Sequence, residues 1–521
     1  MTQRIPLWRL RVKPKASRFK KDKAMNTVYI CFRGAKFWEL WIRVFLPVLI
    51  PGSFAASSVG QEPGALAPQP TLKPASAPLS GEHAWPRPEG VIPVTQFGAV
   101  GDGVADDTPA VEQAIRLKGS VFFPKGIYRL TRTVEIYLPD TGFVSLWGDG
   151  TARIVMSGSG PAFRFVGTHK GTASPNTVRP ELWERERMPV VSGLEIIGDH
   201  PEAGGIEATG TMMLVLRDLL IRETFHAIRL YIRNRNVLIA NCNIYKNRGI
   251  GVYLDDCNLH QINITGCHIS YNEGGGIVSR AGDVRNIQVT GCDIESNMPL
   301  DPAVAEASPP TANILIEATD GSAGTAEVAI TGCTIQHTHQ ANDSANIRFI
   351  GTDAKGRAWG HLVIANNVLS DVQVNIDLRN ARGVSIVGNT FWQGGQWNLR
   401  AIDCEQLLVG PNLMDRNPHY ESQLSGDDAL LFVRCRDITI TGLHVNGPRR
   451  KEAGAIFEEC KGVHIFGATF LDCEGNGLLL RNCSDVRVSQ CWVRPPQGAP
   501  PSWLPVRVEG GEKIVISSEP Q

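Results

Sequence analysis

Residues 237–247 read VLIANCNIYKN, residues 262–272 read INITGCHISYN and residues 287–297 read IQVTGCDIESN. Cys242, Cys267 and Cys292 recur 25 residues apart, and so do Asn247, Asn272 and Asn297. A period in the range of about 20 to 50 residues marks one supersecondary unit stacked on its own copies. Each copy holds a short alternating strand, a two-residue break and a second alternating strand. The breaks are Ala240-Asn241, Thr265-Gly266, Thr290-Gly291, Thr331-Gly332, Ala365-Asn366 and Val387-Gly388. Gly and Asn are the residues that tolerate the positive φ of a tight corner. A third short strand follows at 250–254, 276–279, 314–317, 347–350 and 375–379. No copy holds the run of about ten or more residues of helical periodicity that an α repeat needs, so the sequence predicts an all-β fold: a right-handed parallel β-helix of roughly 10–12 rungs, one supersecondary unit per rung.

The residue after the corner forms an inward column: Cys242, Cys267, Cys292, Cys333, Asn367, Asn389, Asn412, Leu443, Ala468 and Cys491. Cys404, Cys435, Cys460 and Cys483 form a second column, each three residues before the next strand. Nine of the 12 cysteines fall in these columns and there is no CxxC pair, so cysteine reads as a small apolar filler and not as a metal or redox cluster.

The 52 basic and 52 acidic residues balance to a net charge of +0, which points to neither nucleic acid nor an anionic membrane as partner. The N-terminus departs from this balance. Nine basic residues from Arg4 to Lys23 precede an apolar stretch at 37–50, broken by Glu39, Arg43 and Pro47, and then the small residues of 53–58. Residues 1–58 read as a basic leader and export signal, too short and interrupted in its apolar part for a stable membrane span. Residues 59–90, rich in Pro and Ala, read as a linker, and 91–515 as the β-helix, with 91–135 its cap. The expected destination is periplasmic, cell-surface or extracellular.

In the cap, Asp107 or Thr108 is placed to start a helix with Pro109 at its first position, burying Val111, Ala114 and Ile115. Such a helix would plug the open end of the first rung. Asp102, Asp106 and Asp107 therefore read as turn and cap residues. The segment GDGVADDTPAVEQAI, followed by VFFPKGIYRL, is similar to the opening of pectate-lyase-superfamily proteins of the rhamnogalacturonase and epimerase type; the resemblance covers residues 97–130. It implies a carbohydrate-active β-helix protein, usually exported, that works by lyase, hydrolase or epimerase chemistry. It requires no cofactor and admits Ca²⁺, which many β-helix lyases use.

The turn after the second strand is enlarged at 298–311, 339–344, 416–428 and 447–453, which would wall the third strand column. Outward positions there run Arg229, Tyr253, Val278, Leu315, Arg348, Asp377, Arg400 and, beside them, Tyr231, Asp255, Arg280, Glu317, Ile350, Arg379. With turns ~4.8 Å apart, Asp255, Arg280 and Glu317 form a carboxylate, guanidinium, carboxylate ladder. These three are the candidate catalytic residues. Tyr253, Arg348, Asp377, Arg379 and Arg400 are the candidate substrate-binding residues, and no protein metal site is expected. Arginines at this spacing suit uronate carboxylates. β-Elimination needs that carboxylate neutralised and a base for the proton α to it, whereas glycoside hydrolysis needs two carboxyl groups ~5 to 9.5 Å apart, one of them protonated. Asp255-Asp256 resembles the paired aspartates of polygalacturonase-type hydrolases, but their Gly-His-Gly and Arg-Ile-Lys motifs are absent. His226, His260, His268, His337 and His339 are scattered, and Trp392, Trp397, Tyr420 and Trp492 are candidates for stacking on sugar rings. The expectation is a lyase acting on an acidic, pectin-like polysaccharide. The alternatives are a rhamnogalacturonase- or polygalacturonase-type glycoside hydrolase, a uronan epimerase, and a non-catalytic carbohydrate-binding β-helix. Oligomeric state is not legible.

Overall fold

The computed structural model describes residues 91–517 except 172–173, 319–323, 353–358 and 417–425. The leader, the linker and Tyr420 lie outside the described residues. From Asp102 onward the strands pair in parallel, turn upon turn, in one continuous coil. Three sheets run its length. In the middle of the coil, sheet 1 contains Asp283–Thr290, Thr325–Thr331 and Gly360–Ala365; sheet 2 contains His268–Ser270, Asp293–Glu295 and Thr334–Gln336; sheet 3 contains Gly275–Arg280, Ala312–Glu317, Ala345–Ile350 and Val372–Arg379.

The 25-residue period has a direct physical origin. Ile239 pairs with Ile264, Ile264 with Val289, Val289 with Ile330, Ile330 with Ile364 and Ile364 with Ile386, all buried. Each such side chain contributes about 1.5–3 kcal/mol through removal from water, and a one-residue slip would turn the whole column outward. The corners are left-handed as the sequence required: Asn241 has φ 53°, Gly266 61° and Gly388 69°. At Gly388 a side chain would also collide with its neighbour, since a Cβ there would stand 2.3 Å from Asn366 Oδ1.

The coil has about 16 turns, more than the 10–12 expected. The early turns, such as Val190–Gly198 with Ala203–Thr209, build the same three sheets without the corner-plus-cysteine signature, so the period does not reveal them.

The cysteine columns are buried fillers, except that Cys491 is half-buried at the last turns. Burial pushes the Cys257 and Cys473 thiols up to about 12, which suppresses the reactive thiolate. Asparagines form the polar counterpart inside the coil. Asn247 Nδ2 donates to Asn272 Oδ1 (2.7 Å), Asn272 to Asn297 (2.8 Å), Asn297 to Asn313 (2.8 Å), Asn313 to Asn346 (2.8 Å), Asn346 to Asn375 (2.8 Å) and Asn375 to Asn398 (2.7 Å). The ladder satisfies buried amides turn by turn and fixes where each strand of sheet 3 begins.

At the N-terminal end the helix Thr108–Lys118 buries Val111, Ala114 and Ile115. Its cap differs in detail from the expectation, because the Asp107 side chain makes no cap hydrogen bond. It accepts instead from the backbone N–H of Val100 at 2.6 Å and of Arg129 at 3.3 Å. Asp107 stays at the N-cap position, while Asp106 just before it accepts from Thr108 N at 3.0 Å and from Thr131 Oγ1 at 2.9 Å. Asp102 accepts from Val104 N and Ala105 N at 2.8 and 2.9 Å, bonds that hold its carboxyl below the usual range. Asp106 and Asp107 thus tie the signature loop to the strand Gly126–Leu130 and the residues after it, and Asp102 shapes the loop itself.

Candidate active site

Sheet 3 sets two outward rows in register. Arg229, Tyr253, Val278, Leu315, Arg348, Asp377 and Arg400 follow one another on successive turns, and Tyr231, Asp255, Arg280, Glu317, Ile350 and Arg379 do the same beside them. The enlarged turns enter sheet 3 from its N-terminal side. Residues 298–311 contain the helix Pro302–Ala307, capped by Asp301, which accepts from Ala303 N at 2.8 Å. Met298, Ala305 and Ala341 pack together, so the 298–311 and 339–344 segments brace each other. Arg449 N donates to Asp427 O at 2.9 Å, which links the next two enlarged turns in the same way. Val278 and Leu315, although outward on the sheet, are buried with Ile250, Ala312, Ala345 and Val374. They divide the row into two charged groups.

The first group is half-exposed. Arg229 bridges Glu207 (3.2 Å) and Asp255 (2.5 Å), and Arg164 joins Glu207 from the preceding turn (3.0 Å). Arg280 Nε donates to Glu317 at 2.9 Å. The carboxylate, guanidinium, carboxylate stack of Asp255, Arg280 and Glu317 is therefore in register, but its ion pairs are Arg229 with Asp255 and Arg280 with Glu317. Tyr253 stands between the two pairs: burial and the adjacent Asp255 push its phenol up, and Arg280 pulls it down. The His226 ring centroid lies 5.1 Å from that of Tyr253. His226 Nδ1 accepts from Ile250 N at 3.0 Å, which leaves Nε2 as the N–H of the neutral ring. Burial, followed by the charge of Arg229, brings its pKa down to about 4. It is a neutral donor at physiological pH. Sequence reasoning counted His226 among scattered histidines; its position immediately before the strand that carries Arg229 was the available signal.

The second group is closed. Asp377 is 0% and Arg348 3% exposed, and Arg400 is 12% exposed. Arg348 Nε and Arg400 Nε reach Asp377 at 2.8 Å each, and Arg379 Nη2 reaches it at 3.1 Å. Asp343, from the 339–344 turn, binds the same three arginines at 3.0 to 3.4 Å. Of the four candidate binding residues here, only Arg379, 38% exposed, presents its guanidinium to solvent to any extent. Arg348, Asp377 and Arg400 are occupied with one another and with Asp343. Asp343 was not singled out from the sequence, because a lone carboxylate in an insertion carries no period.

Farther along, Lys451 Nζ lies 4.4 Å from the Trp397 ring centroid, and Trp397 also packs near Ile456 and Leu479. Asp428 closes the 416–428 turn, accepting from Gly394 N at 2.7 Å and pairing with Arg416 at 2.8 Å. Burial dominates over Arg416 and pushes its carboxyl up to about 6. A folded pKa above the unfolded 3.8 means the associated stability is complete below about pH 4 and is lost as pH rises through 6. The span corresponds to on the order of 3 kcal/mol. Asp428→Asn should abolish this component. Urea midpoints measured from pH 4 to pH 7 should fall less steeply in the variant, and parallel profiles would remove Asp428 as the cause.

Two family models match the chain: rhamnogalacturonase A/epimerase, pectate lyase-like, over residues 91–188, and the right-handed β-helix region over residues 190–324. No curated protein matches. Among solved structures, the A-module of the Azotobacter vinelandii mannuronan C-5 epimerase AlgE6 superposes with a TM-score of 0.51 at 15% identity, covering 78% of this chain and 100% of the module. Tailspike protein 3 of bacteriophage CBA120 gives 0.50 at 14% identity, covering 79% of this chain and 62% of the tailspike. At such identities the likeness is one of fold. The rhamnogalacturonase A/epimerase, pectate lyase-like match at the N-terminal end and the β-helix match that follows it together support a pectate-lyase-superfamily right-handed β-helix protein.

Proposed function

We propose that this chain acts on an acidic, uronate-bearing polysaccharide laid along sheet 3, and that the reaction begins with removal of the proton α to a uronate carboxylate and ends in β-elimination. The observation that carries this reading is Tyr253 standing between Asp255 and Arg280 on neighbouring turns, with neutral His226 beside it. Arg280 takes the uronate carboxylate on the guanidinium nitrogens that Glu317 leaves open, making the α proton more acidic. Tyr253 removes that proton and relays it toward Asp255, whose position is fixed by Arg229. As the glycosidic C–O bond breaks, His226 Nε2–H hydrogen-bonds the departing oxygen, which takes its proton from solvent. Arg280 here does what calcium does in many β-helix lyases. Glu317 serves to hold Arg280, and Arg379 and Trp397 extend the binding surface along the sheet.

Hydrolysis fits less well. Asp255 and Glu317 are already engaged by Arg229 and Arg280, whereas hydrolysis asks one of two carboxyl groups to deliver a proton. Epimerisation shares the first step and differs only in where the proton returns; the fold likeness to a mannuronan C-5 epimerase module supports a uronate substrate for either outcome. The likeness to a tailspike supports a second reading, a carbohydrate-binding β-helix without catalysis. Export to the periplasm, cell surface or medium belongs to the same proposal and rests on the basic and apolar N-terminal segments.

The test is incubation of the purified protein with polygalacturonate, rhamnogalacturonan, alginate and glycosaminoglycans, with and without calcium, following unsaturated-product absorbance, reducing ends and C-5 configuration by NMR. New absorbance with matching reducing ends supports the lyase. Reducing ends alone would assign a hydrolase, and inverted C-5 centres alone an epimerase. Binding without any product would leave the non-catalytic reading.

A further inference from the structure

On the outer face of sheet 2, away from the site on sheet 3, His268 lies on one turn and Asp293 and Glu295 on the next. His268 Nε2 is 3.7 Å from Asp293 Oδ2 and 4.0 Å from Glu295 Oε1, and one donor atom from each residue lies within 4.8 Å of the other two. These separations are too long for hydrogen bonds. Accordingly, His268 Nε2 is a buried atom with no hydrogen-bond partner. Among the described residues neither carboxylate pairs with an arginine or lysine, although arginines satisfy most carboxylates on sheet 3. Glu295 keeps its second oxygen for a hydrogen bond from Gln336 Nε2 at 3.3 Å, the outer contact that orients a ligating carboxylate.

We propose that His268, Asp293 and Glu295 form a binding site for a divalent transition-metal ion of the zinc class, with solvent completing the coordination. An ion in the plane of the three donor atoms would stand about 2.5 Å or less from each. A contraction of a few tenths of an ångström brings these distances to the ~2.0 to 2.2 Å of zinc with nitrogen and carboxylate ligands. Calcium accepts the longer distances but prefers more ligands, all of them oxygen, so the imidazole selects the transition metal. The site cross-links two turns at the root of the 298–311 segment, which Asp293 and Glu295 immediately precede in the chain. A bound ion would therefore anchor one wall of sheet 3 from the opposite end of its loop. The ligands fall at the 25-residue period on different turns, so no local motif announces them.

The test is calorimetric titration of zinc chloride into the chelator-stripped full chain at pH 7.5, with thermal midpoints measured in parallel. We expect one saturable site, a rise in midpoint with zinc, and a response to calcium that is weaker. His268→Ala and Glu295→Gln should each weaken zinc binding by about tenfold or more and abolish the midpoint rise. Their metal-free midpoints should match the parent, since neither residue is part of the core. Absence of a saturable site, or zinc binding of equal strength in both variants, overturns the proposal.

Discussion

Tyr253→Phe is expected to lower kcat on the uronan substrate by roughly 10² to 10⁴-fold while leaving KM within a few-fold. The substitution removes only the hydroxyl. The ring that packs beside His226, at 5.1 Å between centroids, and under the wall of sheet 3 remains. The thermal midpoint should therefore stay close to that of the parent, which separates a chemical role from a structural one. Arg280→Ala tests the other half of the mechanism. Without the guanidinium both carboxylate binding and acidification of the α proton are lost, so KM should rise and kcat fall together. Arg280→Lys should restore part of the binding and little of the bidentate geometry. The measurement is initial rate of unsaturated-product formation against substrate concentration for each variant. A Tyr253→Phe protein retaining more than a tenth of the parent kcat would falsify the assignment of the phenol as the proton acceptor.

Much of this geometry was legible because a parallel β-helix converts sequence spacing directly into spatial neighbourhood. Once Cys242, Cys267 and Cys292 fix the period, Asp255 follows from Arg280 by counting back one turn, whereas Glu317, 37 residues on across the 298–311 insertion, is found only by aligning the third strands. Counting does not say which neighbours pair. Asp255 pairs with Arg229 on the turn before it, and Arg280 with Glu317 on the turn after. Nor does counting report burial. Arg348 and Asp377 stand on the outer face of the sheet, which by the period alone should be wet, yet the 339–344 turn folds over them and supplies Asp343. Insertions break the period, so whatever they contribute is invisible to it. The early turns are hidden for a different reason, that their corners use other residues, and His226 because it sits in the connection between sheets.

The two charged groups of sheet 3 thus divide the labour. The half-exposed group around Tyr253 keeps a guanidinium and a phenol accessible to a ligand. The closed group fixes the wall, because Asp343 is held by Arg348, Arg379 and Arg400, and the 339–344 turn in turn packs on the 298–311 segment. On the proposed function, the first group would depend on the rigidity of the second, since these turns would confine a bound sugar chain.

Asp377→Ala should consequently be the most damaging substitution for stability, costing about 3–5 kcal/mol, the range for removing one member of a buried ion pair. Asp377 is fully buried and collects Arg348, Arg379 and Arg400 within 3.1 Å, so its loss leaves three guanidiniums with Asp343 as their remaining carboxylate. Burial alone would raise the Asp377 carboxyl, but the hydrogen bond from Arg400 and the charges of Arg348, Arg400 and Arg379 bring it down to about 2. A folded pKa below the unfolded 3.8 gives stability that is present above about pH 4 and lost as pH falls through 2. That loss, about 2 kcal/mol, is smaller than the cost of the substitution, because protonation keeps the side chain in place whereas alanine removes it. Asp343→Ala should cost less than Asp377→Ala, as its side chain is 25% exposed and water can replace part of what it supplies. Urea unfolding of the three proteins at pH 7, with the parent repeated down to pH 2, measures both effects. If Asp377→Ala shifts the midpoint no more than Asp343→Ala, the arginines have found water, and the wall is held by the packing of Met298, Ala305 and Ala341 and not by charge.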